Sequence, residues 1–207
     1  MAPIMKKIWN QTLTVLALAF LVAFSYPAFN TNISESTQTS IDLIQWISWG
    51  AFAIDFLYGI LTAPSKKQYL LKHPLDLAAI ALPFLRPLRL LRVISFGSLV
   101  VQKVAVGRQF AITLKVFIAS IFIAYVAAIQ ITISERDVDG SNIKHFGDGL
   151  WWAITTVTTV GYGDRFPTTA EGRFLAVGLM IMGISLMGVI TASVAAWFVK
   201  MGQNEKA

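Results

Sequence analysis

The chain has no cysteine in its 207 residues, which excludes disulfides, thiolate metal sites and a cysteine nucleophile, and leaves the redox compartment open. It has two histidines, His73 and His145, which lie far apart and read as solvated loop side chains, so no metal site is expected from them. Charge is scarce as well: Asp, Glu, Lys and Arg make up 14% of the chain, against about a quarter in soluble domains. Hydrophobic residues reach 56% and the mean hydropathy is +0.64, so an ordinary water-soluble domain is excluded. There is no Gly-rich phosphate loop and no nucleophile beside a base. No catalytic residue and no cofactor is expected, and the chain does not read as an enzyme. A net charge of +6 would suit nucleic acid, but in a chain this apolar the position of the lysines matters more than their sum. The expected surroundings are membrane lipid, with no nucleic-acid partner.

What the sequence does have is long apolar runs. Lys6 and Lys7 followed by apolar residues 13–24 have the form of a secretory signal peptide, yet every later span needs this one to balance the topology, so residues 9–26 are read as a first span. Residues 30–40 hold no Lys or Arg and are placed outside. Residues 41–61 form a second span, followed by Pro64 and the basic loop of Lys66, Lys67 and Lys72, which marks an inside face. Residues 75–85 are apolar but too short to span, at roughly 16 Å of helix. Residues 86–101 follow without a loop, so the two form a short helical hairpin that starts and ends inside. Residues 110–133 are a further span. The polar loop 135–148 lies outside, where Glu135, Asp137 and Asp139 either concentrate cations or are simply solvated. Residues 151–157 are a short apolar helix that cannot cross, and residues 173–199 are the last span. Both termini are expected in the cytoplasm of a multi-pass cell-membrane protein. No soluble ligand-binding or tetramerisation domain is expected at either terminus. Asn32-Ile33-Ser34 has glycosylation spacing, a pattern common by chance.

Between the outer loop and the last span runs Thr155-Thr156-Val157-Thr158-Thr159-Val160-Gly161-Tyr162-Gly163-Asp164. This string resembles the selectivity filter of potassium channels. A dehydrated cation needs a cage of oxygens, which backbone carbonyls supply if successive residues turn them to one axis. Gly161 and Gly163 permit this because they take positive φ at little cost. The expected potassium site is the backbone of Thr159, Val160, Gly161, Tyr162 and Gly163, with the Thr159 hydroxyl at its inner end. Non-helical backbone at membrane depth must be buried by protein, and the short helix from Trp151 would do so, its C-terminal dipole end favouring a cation. The resemblance assigns Trp151 and Trp152 to an aromatic cuff, with Trp151 bonded to Asp164 and Trp152 near Tyr162. Thr155 stands behind the filter, where relatives carry Glu or Val. One chain supplies one wall of the cage, so a homotetramer is implied. Of Gly178, Gly183 and Gly188 in the last span, Gly183 matches the family's gating hinge, with close helix packing as the other reading.

Arg86, Arg89 and Arg92 recur every three residues among Leu and Val, and intramembrane arginines point to function. The resemblance extends to six-segment, voltage-gated potassium channels of prokaryotic type. Phe52 and Asp55 match that family's Phe-x-x-acid charge-transfer site, Asp76 the acid of its third segment, and Pro83 that segment's proline. Pro87 sets the start of the fourth helix near Leu85. Three charges in each of four subunits, at about 2.3 kcal/mol per charge per 100 mV, bound the gating energy at about 28 kcal/mol. Lys103, Arg108 and Lys115 read as an interfacial linker or as snorkelling residues.

The expected architecture is thus an all-α membrane protein of six transmembrane segments with a re-entrant pore helix. Residues 1–103 would form a voltage-sensor-like domain and 104–207 a pore domain. The expected function is passive, potassium-selective conduction under voltage control. A voltage-independent channel with a vestigial sensor and a non-conducting regulatory subunit are the alternatives.

Overall fold

The computed structural model describes residues 3–73, 77 and 108–204. The described chain is helical: α1 (Pro3–Phe29), α2 (Glu35–Thr62), α3 (Lys66–Lys72), α4 (Arg108–Glu135), α5 (Phe146–Val157) and α6 (Ala170–Asn204). It divides into two compact units, Met1–Val93 and Ile94–Ala207. The expected hairpin at 75–101, with Asp76, Pro83, Arg86, Pro87, Arg89 and Arg92, lies outside the described residues, as does Lys103.

In the first unit each helix is bounded by local chemistry. α1 ends just past Pro27, which cannot donate to the helix ladder, and Asn30 closes it by giving both its N–H and its Nδ2 to the Tyr26 carbonyl, at 3.1 and 3.2 Å. Ser34 caps α2, its Oγ accepting from Thr37 N, which is the usual way an exposed first turn is satisfied. α2 stops before Ala63, whose extended backbone is what a following Pro64 imposes. α1 and α2 pack through Leu13, Ala17 and Phe52. The buried Ser48 turns its hydroxyl to the Leu16 carbonyl at 3.4 Å. α3 lies on α2, with the Tyr69 ring over Gly59, where any Cβ would collide with it, and 5.8 Å from the Phe56 ring. His73 is not a free loop side chain: it closes α3, stacks on Tyr69 at 4.2 Å and is half-buried.

In the second unit α4 and α6 run antiparallel and are tied at both ends. Thr113 Oγ1 meets Ser193 Oγ at 2.5 Å at one end, and Glu135 of α4 accepts from Thr168 and Thr169, just before α6, at the other. α5 is held between them by an apolar core that includes Ala128, Ile131, Trp152, Ala153, Val157 and Leu179. At three glycines the neighbouring chain leaves no room for a side chain. A Cβ on Gly149 would sit 2.7 Å from the Ala128 carbonyl, and one on Gly172 2.7 Å from Glu135 Oε1. A Cβ on Gly183 would sit 2.5 Å from the Val157 carbonyl, whereas Gly178 and Gly188 face nothing within 4 Å.

Among the described residues, four helical stretches are long and apolar enough to cross a membrane: Gln11–Phe29, Glu35–Thr62, Thr113–Glu135 and Ala170–Gln203. Each overlaps an expected span. α5 starts at Phe146, not at Trp151, because Asp148 caps it by accepting from Lys144 N and His145 N at 3.1 and 3.0 Å. Gly147 and Gly149, poor helix formers, conceal that first turn in the sequence.

Candidate functional site

The site begins where α5 stops. Thr158 closes the helix, its N–H and its hydroxyl both bonding the Ile154 carbonyl at 3.0 and 2.7 Å. The chain then reverses, and the Thr155 carbonyl accepts from Val160 N at 2.9 Å and Gly161 N at 3.0 Å. Thr155 thus holds the base of the following strand by its main chain, while its buried hydroxyl bonds the Trp152 carbonyl. From there φ is positive at every second residue: 62° at Thr159, 55° at Gly161 and 79° at Gly163. Val160 and Tyr162 between them keep negative φ. In an ordinary strand successive carbonyls point to opposite sides, and an alternating sign of φ turns them to one side. The glycines adopt this conformation freely, but Thr159 is β-branched and pays for it, a strain of the kind found at functional sites.

The strand is backed from α5. Trp151 Nε1 donates to Asp164 Oδ2 at 2.8 Å, and the Trp151 ring stacks on Tyr162 with centroids 5.6 Å apart and planes 2° apart. Within the chain it is Trp151, not Trp152, that meets Tyr162. Successive helical residues point about 100° apart, and that rotation sends Trp152 into the core, where it is 3% exposed. The strand's own side chains are bare in the single chain, Val160 at 55% and Tyr162 at 69% exposure. A cavity of about 410 Å³ lies behind it, lined in part by Trp152, Thr155, Phe166, Arg173 and Met180.

The outer loop is tied to the strand by residues that carry no motif. Asn142 Nδ2 donates to the Asp164 carbonyl at 3.0 Å, and Asn142 Oδ1 accepts from Phe166 N at 3.1 Å. Arg165 gives Nη1 to the Asn142 carbonyl at 2.9 Å and Nη2 to Asp148 Oδ1 at 3.0 Å. Lys144 Nζ caps the Arg136 and Val138 carbonyls. Burial pushes the Asp148 carboxyl up. The N–H groups of His145 and Lys144, with the charges of Arg165 and His145, outweigh that and hold it below its ordinary 3.8.

Glu135 is no mouth carboxylate. It is fully buried, and Thr168 and Thr169 give it both their N–H groups, at 2.9 Å, and both their hydroxyls, at 2.5 and 2.7 Å. In the first unit Phe52 is buried against Leu13 and Ala17. Asp55 Oδ1 accepts from Trp9 Nε1 at 2.7 Å, a partner that nothing in the spacing announces. The arginine series and Asp76 lie outside the described residues.

A short helix thus feeds a segment of alternating handedness between two membrane-length helices. Residues 135–200, about a third of the chain, match the family model described as ion channel, and this stretch is similar to an ion-channel domain. Potassium channels are among the proteins it is similar to. A calcium-gated potassium channel, TvoK, of Thermoplasma volcanium is 39% identical over 83 residues, 40% of this chain and 24% of that protein. A voltage-gated potassium channel of Aeropyrum pernix is 40% identical over 74 residues, 36% of this chain and 25% of that protein. The human potassium voltage-gated channel subfamily KQT member 4 is 34% identical over 79 residues, 38% of this chain and 11% of that protein. The chain therefore spans about a quarter of the length of the prokaryotic relatives, and less of the human one.

Proposed function

We propose that the chain is one subunit of a homotetrameric, potassium-selective channel of the six-segment type, opened and closed by membrane voltage. The observation that carries this reading is the alternating backbone at Thr159, Gly161 and Gly163 within Thr-Val-Gly-Tyr-Gly-Asp. Four such strands around one axis would replace a potassium ion's water with carbonyl oxygens, and the Thr159 hydroxyls would complete the inner end. The C-terminal end of α5 adds its negative dipole. The bare faces of Val160 and Tyr162 and the open cavity behind the strand support assembly, since one chain leaves uncovered what neighbouring copies would cover. The ion passes down its own gradient and no bond is made or broken, so the residues position and select without catalysis. Both termini are taken as cytoplasmic, from the lysines that flank the spans.

Gating is argued from this chain's own residues, because the relatives are named for calcium and for voltage over similar lengths of match. Arg86, Arg89 and Arg92 would move in the field, Asp55 and Asp76 would hold a passing arginine, and Phe52 would plug the crossing. Single-channel recording in a planar bilayer, with potassium and sodium on opposite sides and voltage stepped over both signs, tests the proposal. Potassium-selective openings whose probability changes steeply with voltage are expected. Selective openings indifferent to voltage would retain the filter and remove the sensor. The absence of current would leave a silent subunit.

A further inference from the structure

We infer that Asn142 is a positioning residue for the outer end of the filter strand, and that its amide sets how long the strand keeps its conducting shape. The inference rests on the filter reading of residues 159–163 proposed above. A strand of alternating handedness has no sheet neighbour to satisfy its flanks, and main-chain groups left bare are expensive away from water. Asn142 acts as that neighbour on the outer side. Its two amide atoms bond the main chain on either side of Arg165, donating to the Asp164 carbonyl at 3.0 Å and accepting from Phe166 N at 3.1 Å. Only one orientation of the amide satisfies both contacts, since a flipped group would set oxygen against oxygen and N–H against N–H.

The brace is itself anchored. Arg165 turns back to the Asn142 carbonyl and to Asp148 Oδ1, and the other Asp148 oxygen accepts from the N–H groups that open α5. Loop, strand exit and helix start thus form a closed ring of hydrogen bonds. Trp151 grips Asp164 by its carboxylate, whereas Asn142 grips it by its main chain, so the two contacts restrain different motions. The Asp164 carbonyl lies one peptide beyond that of Gly163, the outermost oxygen of the cage. Freed, the peptides after Gly163 could rotate toward an ordinary strand and take that oxygen with them. A potassium ion in the outer site opposes the same rotation.

The test records potassium current through the full-length tetramer during sustained opening, in the parent and in Asn142→Ala. Asn142→Ala is expected to lose current roughly tenfold faster, the factor corresponding to about 1.4 kcal/mol, or one to two modest net hydrogen bonds. Raising outer potassium should slow that loss, and selectivity early in the opening should match the parent. Asn142→Asp keeps the acceptor for Phe166 N but sets a carboxylate against the Asp164 carbonyl. It should behave like the alanine variant, and it provides the reading if the alanine variant does not assemble. Decay equal to the parent in a variant that assembles overturns the inference, as does faster decay that outer potassium fails to slow, which would mark a merely structural role. A parent channel without potassium selectivity overturns the filter reading, and this inference with it; a selective parent with unaltered variants overturns this inference alone.

Discussion

At the scale of single residues, Gly183 shows how a sequence can mark a position without saying what it is for. The resemblance offers a hinge. The structure sets Gly183 against the Val157 carbonyl, at the last residue of α5, within a continuous α6. Gly183→Ala should therefore cost about 1–3 kcal/mol by overpacking, and because only Thr158 separates Val157 from the strand, it should lower single-channel current too. Thermal unfolding of the detergent-solubilised protein and bilayer recording check the two effects. A residue acting only as a hinge would gain slightly in stability from alanine's helix propensity and keep its unitary current. Glu135 is the opposite case, since its position in a polar loop suggested solvent. Glu135→Gln, which offers one acceptor oxygen to a nest of donors, should destabilise the subunit by about 3 kcal/mol in denaturant titration. Asn142 and Trp9 were illegible because each bonds a residue more than 20 positions away, and no periodicity records such a pair.

At the scale of elements, the long helices were legible because hydropathy over twenty residues dominates any local ambiguity. Their ends were not, since caps depend on single side chains. α5 is the clearest instance: its first turn exists because Asp148 satisfies two N–H groups and pairs with Arg165. That carboxyl is held below its ordinary 3.8, so ionised Asp148 stabilises the folded state. The contribution is complete above that pH and is lost as pH falls through the lower folded value. Thermal stability of the protein should therefore drop on acidification below pH 3.8. Asp148→Asn should be less stable than the parent at neutral pH and should lose that part of the acid dependence.

At the scale of the whole molecule, the string from Thr155 to Asp164 could be read at once because its residues are adjacent in the chain. The charge-transfer site expected in the first unit, Phe52, Asp55 and Asp76, could be read only by resemblance, since it draws on separate segments. If Arg89 and Arg92 move in the field, neutralising either to Asn should shift or flatten the conductance–voltage relation and leave the potassium-to-sodium permeability ratio unchanged. Macroscopic currents under bi-ionic conditions measure both together, and a joint change would contradict the division of labour between the two units. The Glu135 contacts to Thr168 and Thr169 have a further consequence. They close residues 136–167 into a loop whose mouth is pinned by the protein itself, so the ends stay in place whatever the length between them. The entropy of closing such a loop grows only as the logarithm of its length, at about 0.6 kcal/mol per doubling. The turn at Gly140, with its φ of 78°, is therefore where a foreign segment such as an epitope is expected to be accepted at little cost in closure entropy, provided that Asn142 and Lys144 keep their contacts.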